Sequence, residues 1–324
     1  MNSTVAVTGA SGYLGSLVVA TLVRRGFHVR AAIRSLDKVP PQLASLANVT
    51  FVAVPDLLTD DGWAELMTGA TFVQHLASPV FVPNLAKEAQ IEQAVQGTLR
   101  ALKFALAAGG VKRVVITASM ASVCGSQRDK DPSHLWSEAD VNDAPGSAYS
   151  ASKTAAEAAA WAFAKENPAL EIVTLHPGCA LSPLLPHQKP QSTMLMFVEA
   201  LDGTEKARGG LEFNTFGLVD GRDVARAHFL AMISDEAKGQ RYLVSSRDQS
   251  CMKELVELAV KHFPGLAATA ALNWRDASKD GFTPRRPSTR IDKIESFFDG
   301  HLLSAEQTVV DTVRNLLQSG LLKI

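Results

Sequence analysis

The stretch Val5-Ala6-Val7-Thr8-Gly9-Ala10-Ser11-Gly12-Tyr13-Leu14-Gly15 decides how this chain folds. Val5, Ala6 and Val7 form a short apolar run cut off by a glycine turn, which predicts a buried strand, the first and central one of a sheet. Gly9, Gly12 and Gly15 lack the Cβ that would obstruct a tight turn, the approach of backbone N–H groups to a pyrophosphate, and close packing of helix on strand. A helix begins at Tyr13, and the positive end of its dipole faces the turn. The stretch is therefore expected to hold a dinucleotide. Its spacing is GxxGxxG rather than GxGxxG, so the reading also draws on context. That context is the preceding strand and Arg34, about 20 residues on, where the residue that reads the adenosine ribose belongs.

Working outward, Leu14, Leu17, Val18 and Leu22 make one helical stripe that Gly26 ends, and residues 29–33 read as a second strand. Many NAD enzymes carry an acid at the end of that strand to bind the ribose 2′-hydroxyl; here stand Arg34 and, one helical turn later, Lys38. Two cations suit a 2′-phosphate, and hence NADPH/NADP+. Further strands are expected at 51–54, 71–76, 113–117, 171–176 and 241–245, with helical segments at 85–108 and 149–165 between them. The predicted fold is α/β, a Rossmann-type doubly wound parallel sheet with helices on both faces and a smaller C-terminal substrate lobe. The division is placed at 1–178 for the dinucleotide-binding domain and 179–324 for the lobe, with 214–247 packing back on the sheet. Residues 181–191, with three prolines, read as a loop over the site. Residues 219–233 read as a helix capped by Asp220 or Asp223, and 254–262 and 305–321 as amphipathic helices.

Composition narrows the function. The chain has 324 residues, 46% hydrophobic and 20% charged, with a net charge of −1, the balance of an ordinary globular protein. No basic run points to nucleic acid or an anionic membrane, and no apolar run approaches the ~18 residues of a membrane span. No export signal precedes the first strand. Cys124, Cys179 and Cys251 are scattered, without CxxC spacing, and there is no HExxH, so free thiols, no metal and a cytoplasmic location are expected. Monomer and homodimer are both open.

Ligands of such sheets bind beyond the carboxyl ends of the strands, where Asp56, Ser78, Ser119 and Pro177 fall. The chemistry is expected from Tyr149-Ser150-Ala151-Ser152-Lys153, which opens an alanine-rich helix. A spacing of four puts phenol and ammonium on one face, and a close ammonium lowers the pKa of a phenol. The phenol could then give a proton to a carbonyl oxygen as hydride reaches its carbon. Ser119 would bond that oxygen, with Ser122, in the same loop, as a competitor for the role.

At these residues the chain resembles an extended short-chain dehydrogenase/reductase, in the group of dihydroflavonol, cinnamoyl-CoA and NADPH-dependent aldehyde/ketone reductases. The likeness rests on the glycine stretch with Tyr149 and Lys153. It extends through His75-Leu76-Ala77-Ser78-Pro79, Val95-Gln96-Gly97-Thr98, His176-Pro177-Gly178 and Asp223-Val224-Ala225-Arg226-Ala227-His228. The resemblance implies that Gly9, Gly12 and Gly15 hold the pyrophosphate, that Thr8, Ser11, Tyr13 and Leu14 beside them also bind the cofactor, and that Arg34 and Lys38 bind the 2′-phosphate. It also implies that Asp56 and Leu57 flank the adenine, while Leu76, Ala77, Ser78 and Thr117 line the cofactor. Lys153 would grip the nicotinamide ribose, and Pro177 and Gly178 would shape the nicotinamide pocket. The usual Ser-Ser after the fifth strand is Thr117-Ala118-Ser119 here, and the Asn-Trp-Tyr-Cys-Tyr signature of cinnamoyl-CoA reductases is absent around Tyr149.

The expected activity is thus an NADPH-dependent reductase of aldehydes or ketones, an oxidoreductase acting on CH–OH and carbonyl groups of a small molecule. Ser119, Tyr149 and Lys153 are its catalytic residues. The alternatives are a non-catalytic NADP(H) sensor and a sugar-nucleotide epimerase or dehydratase on the same architecture, the latter disfavoured by Arg34 in place of an acid.

Overall fold

Along β1 (Thr4–Thr8), Val5 and Val7 join the apolar core on one face of a sheet and Ala6 joins the core on the other. A strand covered on both sides needs an unbroken apolar run, which is what this segment has. The structure is a computed structural model that describes residues 3–79, 85–124, 134–211, 216–247, 249–276, 289–300 and 302–323.

From β1 the chain runs through helix α1 (Tyr13–Arg24), β2 (His28–Ile33), the short helix α2 (Pro41–Ala44), β3 (Val49–Ala53), α3 (Trp63–Met67) and β4 (Ala70–His75). Then come α4 (Lys87–Ala107), β5 (Arg113–Thr117), α5 (Ala148–Glu166) and β6 (Glu171–Pro177). The second half carries β7 (Cys179–Leu181), α6 (Thr193–Leu201), α7 (Thr204–Ala207), β8 (Phe216–Asp220), α8 (Gly221–Ile233) and β9 (Arg241–Val244). Last are β10 (Gln249–Ser250), α9 (Met252–His262), α10 (Asp292–Phe297) and α11 (Ala305–Gln318).

Seven strands pair in the order β3-β2-β1-β4-β5-β6-β9, each neighbour parallel, the doubly wound sheet expected from the sequence. One face buries apolar side chains of α1 and α8, in a core continuous with that of α6, α9 and α11, and the other those of α3, α4 and α5. Three short strands, β10-β8-β7, form a second sheet.

Residues 219–233 are not helical throughout. Phe216–Asp220 is a strand, and α8 starts at Gly221. The apolar residues Leu218 and Val219 are fully buried where β8 pairs with β7, a fit that five residues of sequence do not announce. Asp220 caps α8, accepting from the Arg222 amide at 2.8 Å, whereas Asp223 accepts from the Leu303 amide. The far end of α8 is closed by a buried side chain from the sheet. Arg113 donates to the carbonyls of Ala231, Met232 and Ser234 and pairs with Glu171. No helix among the described residues is long and apolar enough to cross a membrane.

The glycine turn is built by close approach. A Cβ on Gly15 would lie 2.0 Å from the Gly9 carbonyl oxygen, but one on Gly12 would lie 3.3 Å from it. Gly15→Ala should therefore cost about 1–3 kcal/mol of stability in a denaturant titration, and Gly12→Ala less than about 1 kcal/mol. Equal midpoints for Gly15→Ala and the unchanged protein would contradict this turn.

Candidate active site

The site begins where the turns after β1 and β4 meet. Gly9, at φ +66°, has no Cβ to strike the Ala77 amide, which would be 2.7 Å away. The Thr8 hydroxyl accepts from that same Ala77 amide at 3.1 Å and lies 2.8 Å from His75 Nδ1. Burial, together with the charge of Lys153, depresses the His75 pKa to about 3, so the ring is neutral near pH 7. Gly12 N-caps α1 without a side-chain cap, and the first turn holds no acid. The leading N–H groups of α1 thus face the crevice with a positive dipole end behind them, a donor set suited to a pyrophosphate.

Around this floor the other expected cofactor residues take their places. Ser11 is exposed on the turn, Tyr13 is buried with its hydroxyl 2.7 Å from the Ser182 hydroxyl, and Leu14 is half-buried. Arg34 and Lys38 are exposed beyond the carboxyl end of β2, and neither has an ion pair among the described residues. Asp56 accepts from the Leu58 amide at 2.9 Å, and Leu57 packs where Gly97 of α4 leaves room for it. Leu76, Ala77 and Ser78 are half-buried just past β4. Pro177 closes β6, and Gly178 passes so near β8 that a Cβ would lie 2.1 Å from the Gly217 oxygen.

The reactive side chains stand at the ends of β5 and the start of α5. Ser147 caps α5, accepting from the Ser150 amide at 3.0 Å, which places Tyr149 in the first turn and Lys153 in the second. Lys153 is buried, its Nζ donating to the Thr117 carbonyl at 3.1 Å and lying 6.0 Å from the centre of the Tyr149 ring. Burial lowers its pKa to about 8, against the opposing charge of Glu157. The Ser119 hydroxyl accepts from the Ala121 amide at 3.1 Å and lies near enough to the Tyr149 phenol to act on its pKa. Ser122 is elsewhere engaged: fully buried, its hydroxyl donates to Glu157 Oε2 at 2.7 Å, and its amide donates to the Ser119 carbonyl at 2.9 Å. Of the two serines, Ser119 therefore faces the phenol.

One expectation is corrected. The spacing of four predicts that Lys153 lowers the Tyr149 pKa, but in the resting site burial raises it, with the nearby Ser119 side chain acting the other way. Desolvation of the phenolate is the largest effect on this group in the resting site.

Glu157, one further turn along α5, escaped the sequence reading. Its buried carboxylate gathers His176 Nε2 and Arg241 Nε, each at 2.7 Å, Ser122 at 2.7 Å and Thr174 at 3.2 Å. Burial pushes its pKa up, yet His176 and Arg241 outweigh that and hold it well below the usual carboxylate range. A signal was available, since Glu157 is the only acid in 149–165 and lies on the face of Tyr149 and Lys153.

The chain is similar to known proteins. The chain is 32% identical to cinnamoyl-CoA reductase 1 of Arabidopsis thaliana, over 98% of this chain and 90% of that protein. It is 32% identical to tetraketide alpha-pyrone reductase 1 of the same plant, over 95% and 97%. The crystal structure of Gre2 from Candida albicans in complex with NADPH superposes with a TM-score of 0.83 at 25% identity, covering 98% of this chain and 99% of that one. Residues 5–245 match the profile of the NAD dependent epimerase/dehydratase family, and the chain belongs to that family of extended short-chain dehydrogenase/reductases.

Proposed function

We propose that the protein is an NADPH-dependent reductase that converts an aldehyde or ketone to the alcohol. The observation that carries this reading is the convergence of Ser119, Tyr149 and Lys153 at the carboxyl ends of the strands, beside the uncapped N-terminus of α1. Arg34 and Lys38, exposed past β2, offer two cations for a 2′-phosphate. The relatives named as reductases and the neighbour bound to NADPH support the same class. Arg34, in place of an acid, speaks against an enzyme that retains NAD.

The cofactor supplies hydride; the chain's own groups manage the oxygen. Ser119 donates to the carbonyl oxygen and aligns it with the phenol, which gives its proton as negative charge develops there. Lys153 keeps one proton on the Thr117 carbonyl, and its other two N–H bonds are available to ribose hydroxyls. Its charge then stands beside the phenolate left by proton transfer. A non-catalytic sensor would need none of these three groups. The two plant relatives are named for different substrates, so their names support reduction and leave the acceptor to experiment.

Two measurements test the reading. With a panel of aldehydes and ketones, Tyr149→Phe should bind NADPH as before while turnover falls by about 10²-fold or more; near-normal rates would show that the acid is another group. Arg34→Ala should weaken NADPH binding by about tenfold or more and change NADH binding little. Equal losses for the two cofactors would reject the 2′-phosphate contact.

A further inference from the structure

We infer that Glu157 is a positioning residue for the acid–base pair, a buried carboxylate that locks the Tyr149–Lys153 helix and the Ser119 turn to the same two strands. The inference rests on the reading of the site as a reductase.

Glu157 sits one turn beyond Lys153, on the same face of α5, and its neighbours come from three further elements. From β6 come Thr174 and His176, from β9 Arg241, and from the turn after β5 Ser122. Trp161, a turn further along α5, adds a bond at 3.4 Å. His176 leads directly into Pro177 and Gly178, so the carboxylate that fixes the helix also fixes the strand end behind the nicotinamide pocket. Ser122 links it to the serine turn, its hydroxyl donating to the carboxylate and its amide to the Ser119 carbonyl. Arg241 extends the brace to the segment leading into α5, donating to the carbonyls of Glu138 and Asp140.

The arrangement exceeds what holding a helix in place requires. A buried carboxylate is tolerated only with full compensation, and a well-packed apolar side chain would hold α5 without it. What the carboxylate adds is charge. Lys153 is buried beside His75, which is neutral, and Tyr149, a protonated phenol, and burial draws its proton off. Glu157 is the anion that acts on Lys153 in the opposite sense. The sign is definite: loss of the carboxylate's charge lowers the pH at which Lys153 deprotonates, and reduction then fails at lower pH.

The test compares the intact enzyme with Glu157→Gln in two ways. The first is the pH profile of kcat/KM with NADPH and a carbonyl substrate. In Glu157→Gln the alkaline limb should move down by about half a pH unit or more, and kcat should fall by about tenfold with the KM for NADPH little changed. The second needs no turnover: the Lys153 signal of ¹³Cε-lysine-labelled protein, assigned with Lys153→Arg, should titrate at lower pH by a similar amount. A lower melting temperature with both midpoints unmoved would reduce Glu157 to a structural residue and overturn the inference. Should Glu157→Gln fail to fold, Ser122→Ala keeps the charge and cuts only the tie to the serine turn. It should lower kcat several-fold at an unchanged alkaline midpoint, and a wild-type kcat there would overturn the inference. If the unaltered protein consumes no NADPH with any carbonyl, the reductase reading fails instead, and the labelled-lysine titration still decides the role of Glu157.

Discussion

The contact between the turn after β1 and the turn after β4 is the constraint from which the rest of the site follows. These strands are neighbours in the sheet, yet the helices after them go to opposite faces, α1 to one and α4 to the other. Two chains leaving adjacent strands in opposite directions open a crevice between them. Its floor is backbone: Gly9 against Ala77, with the Thr8 hydroxyl taking the Ala77 amide. A side chain at position 9 would occupy that contact, and one at position 15 would collide with the Gly9 carbonyl. The crevice and the exposed N–H groups of α1 are consequences of this single approach.

Against that floor, the buried polar groups sort themselves by charge. On one side of the β5 end, His228 Nδ1 faces Gln74 Oε1 at 2.7 Å, and its Nε2 faces the Thr117 hydroxyl at 3.0 Å. Burial brings the His228 pKa down to about 3, so a neutral ring donates from Nδ1 and accepts from Thr117. Thr117 is thereby held by its side chain while its carbonyl takes the Lys153 ammonium. On the other side the ionised cluster of Glu157 and Arg241 adjoins His176 and anchors α5. Lys153 thus lies between neutral imidazoles and one anion, with a geometry fixed at both ends.

How much of this the residues disclose beforehand depends on how local the cause is. The parallel sheet is legible because strands buried on both faces read as short apolar runs between turns, and 113–117 coincides with β5 to the residue. The glycine turn and the Tyr149–Lys153 spacing are legible because each is a short-range pattern with a steric or helical reason. Strand β8 is not, since its pairing partner lies 39 residues away, Leu218 opposite Cys179 in the register of β7. The choice between Ser119 and Ser122 depends on a carboxylate 35 residues from Ser122, and Glu157 itself hides in an alanine-rich helix whose low complexity suggests packing alone. The sense of the Tyr149 shift is hidden for a related reason: spacing shows that an ammonium is near, but not that a carbonyl already holds it or that burial outweighs it.

That shift bears on the direction of the chemistry. A phenol whose pKa were pulled toward neutrality would spend part of its time as phenolate, ready to accept a proton from an alcohol. Burial acts on Tyr149 in the opposite sense and keeps the proton on the oxygen at rest. A group that must donate is better stored as its acid, provided that its conjugate base is stabilised at the moment it forms. In the proposed reaction Ser119, near the phenol, and Lys153, 6.0 Å from its ring, would act at that moment rather than before it. The desolvation that opposes ionisation in the resting site also strengthens the attraction between phenolate and ammonium once charge appears, because both sit away from water. The proposed reduction thus starts from a phenol that keeps its proton at rest and depends on Lys153 for the stability of the phenolate that proton transfer would leave.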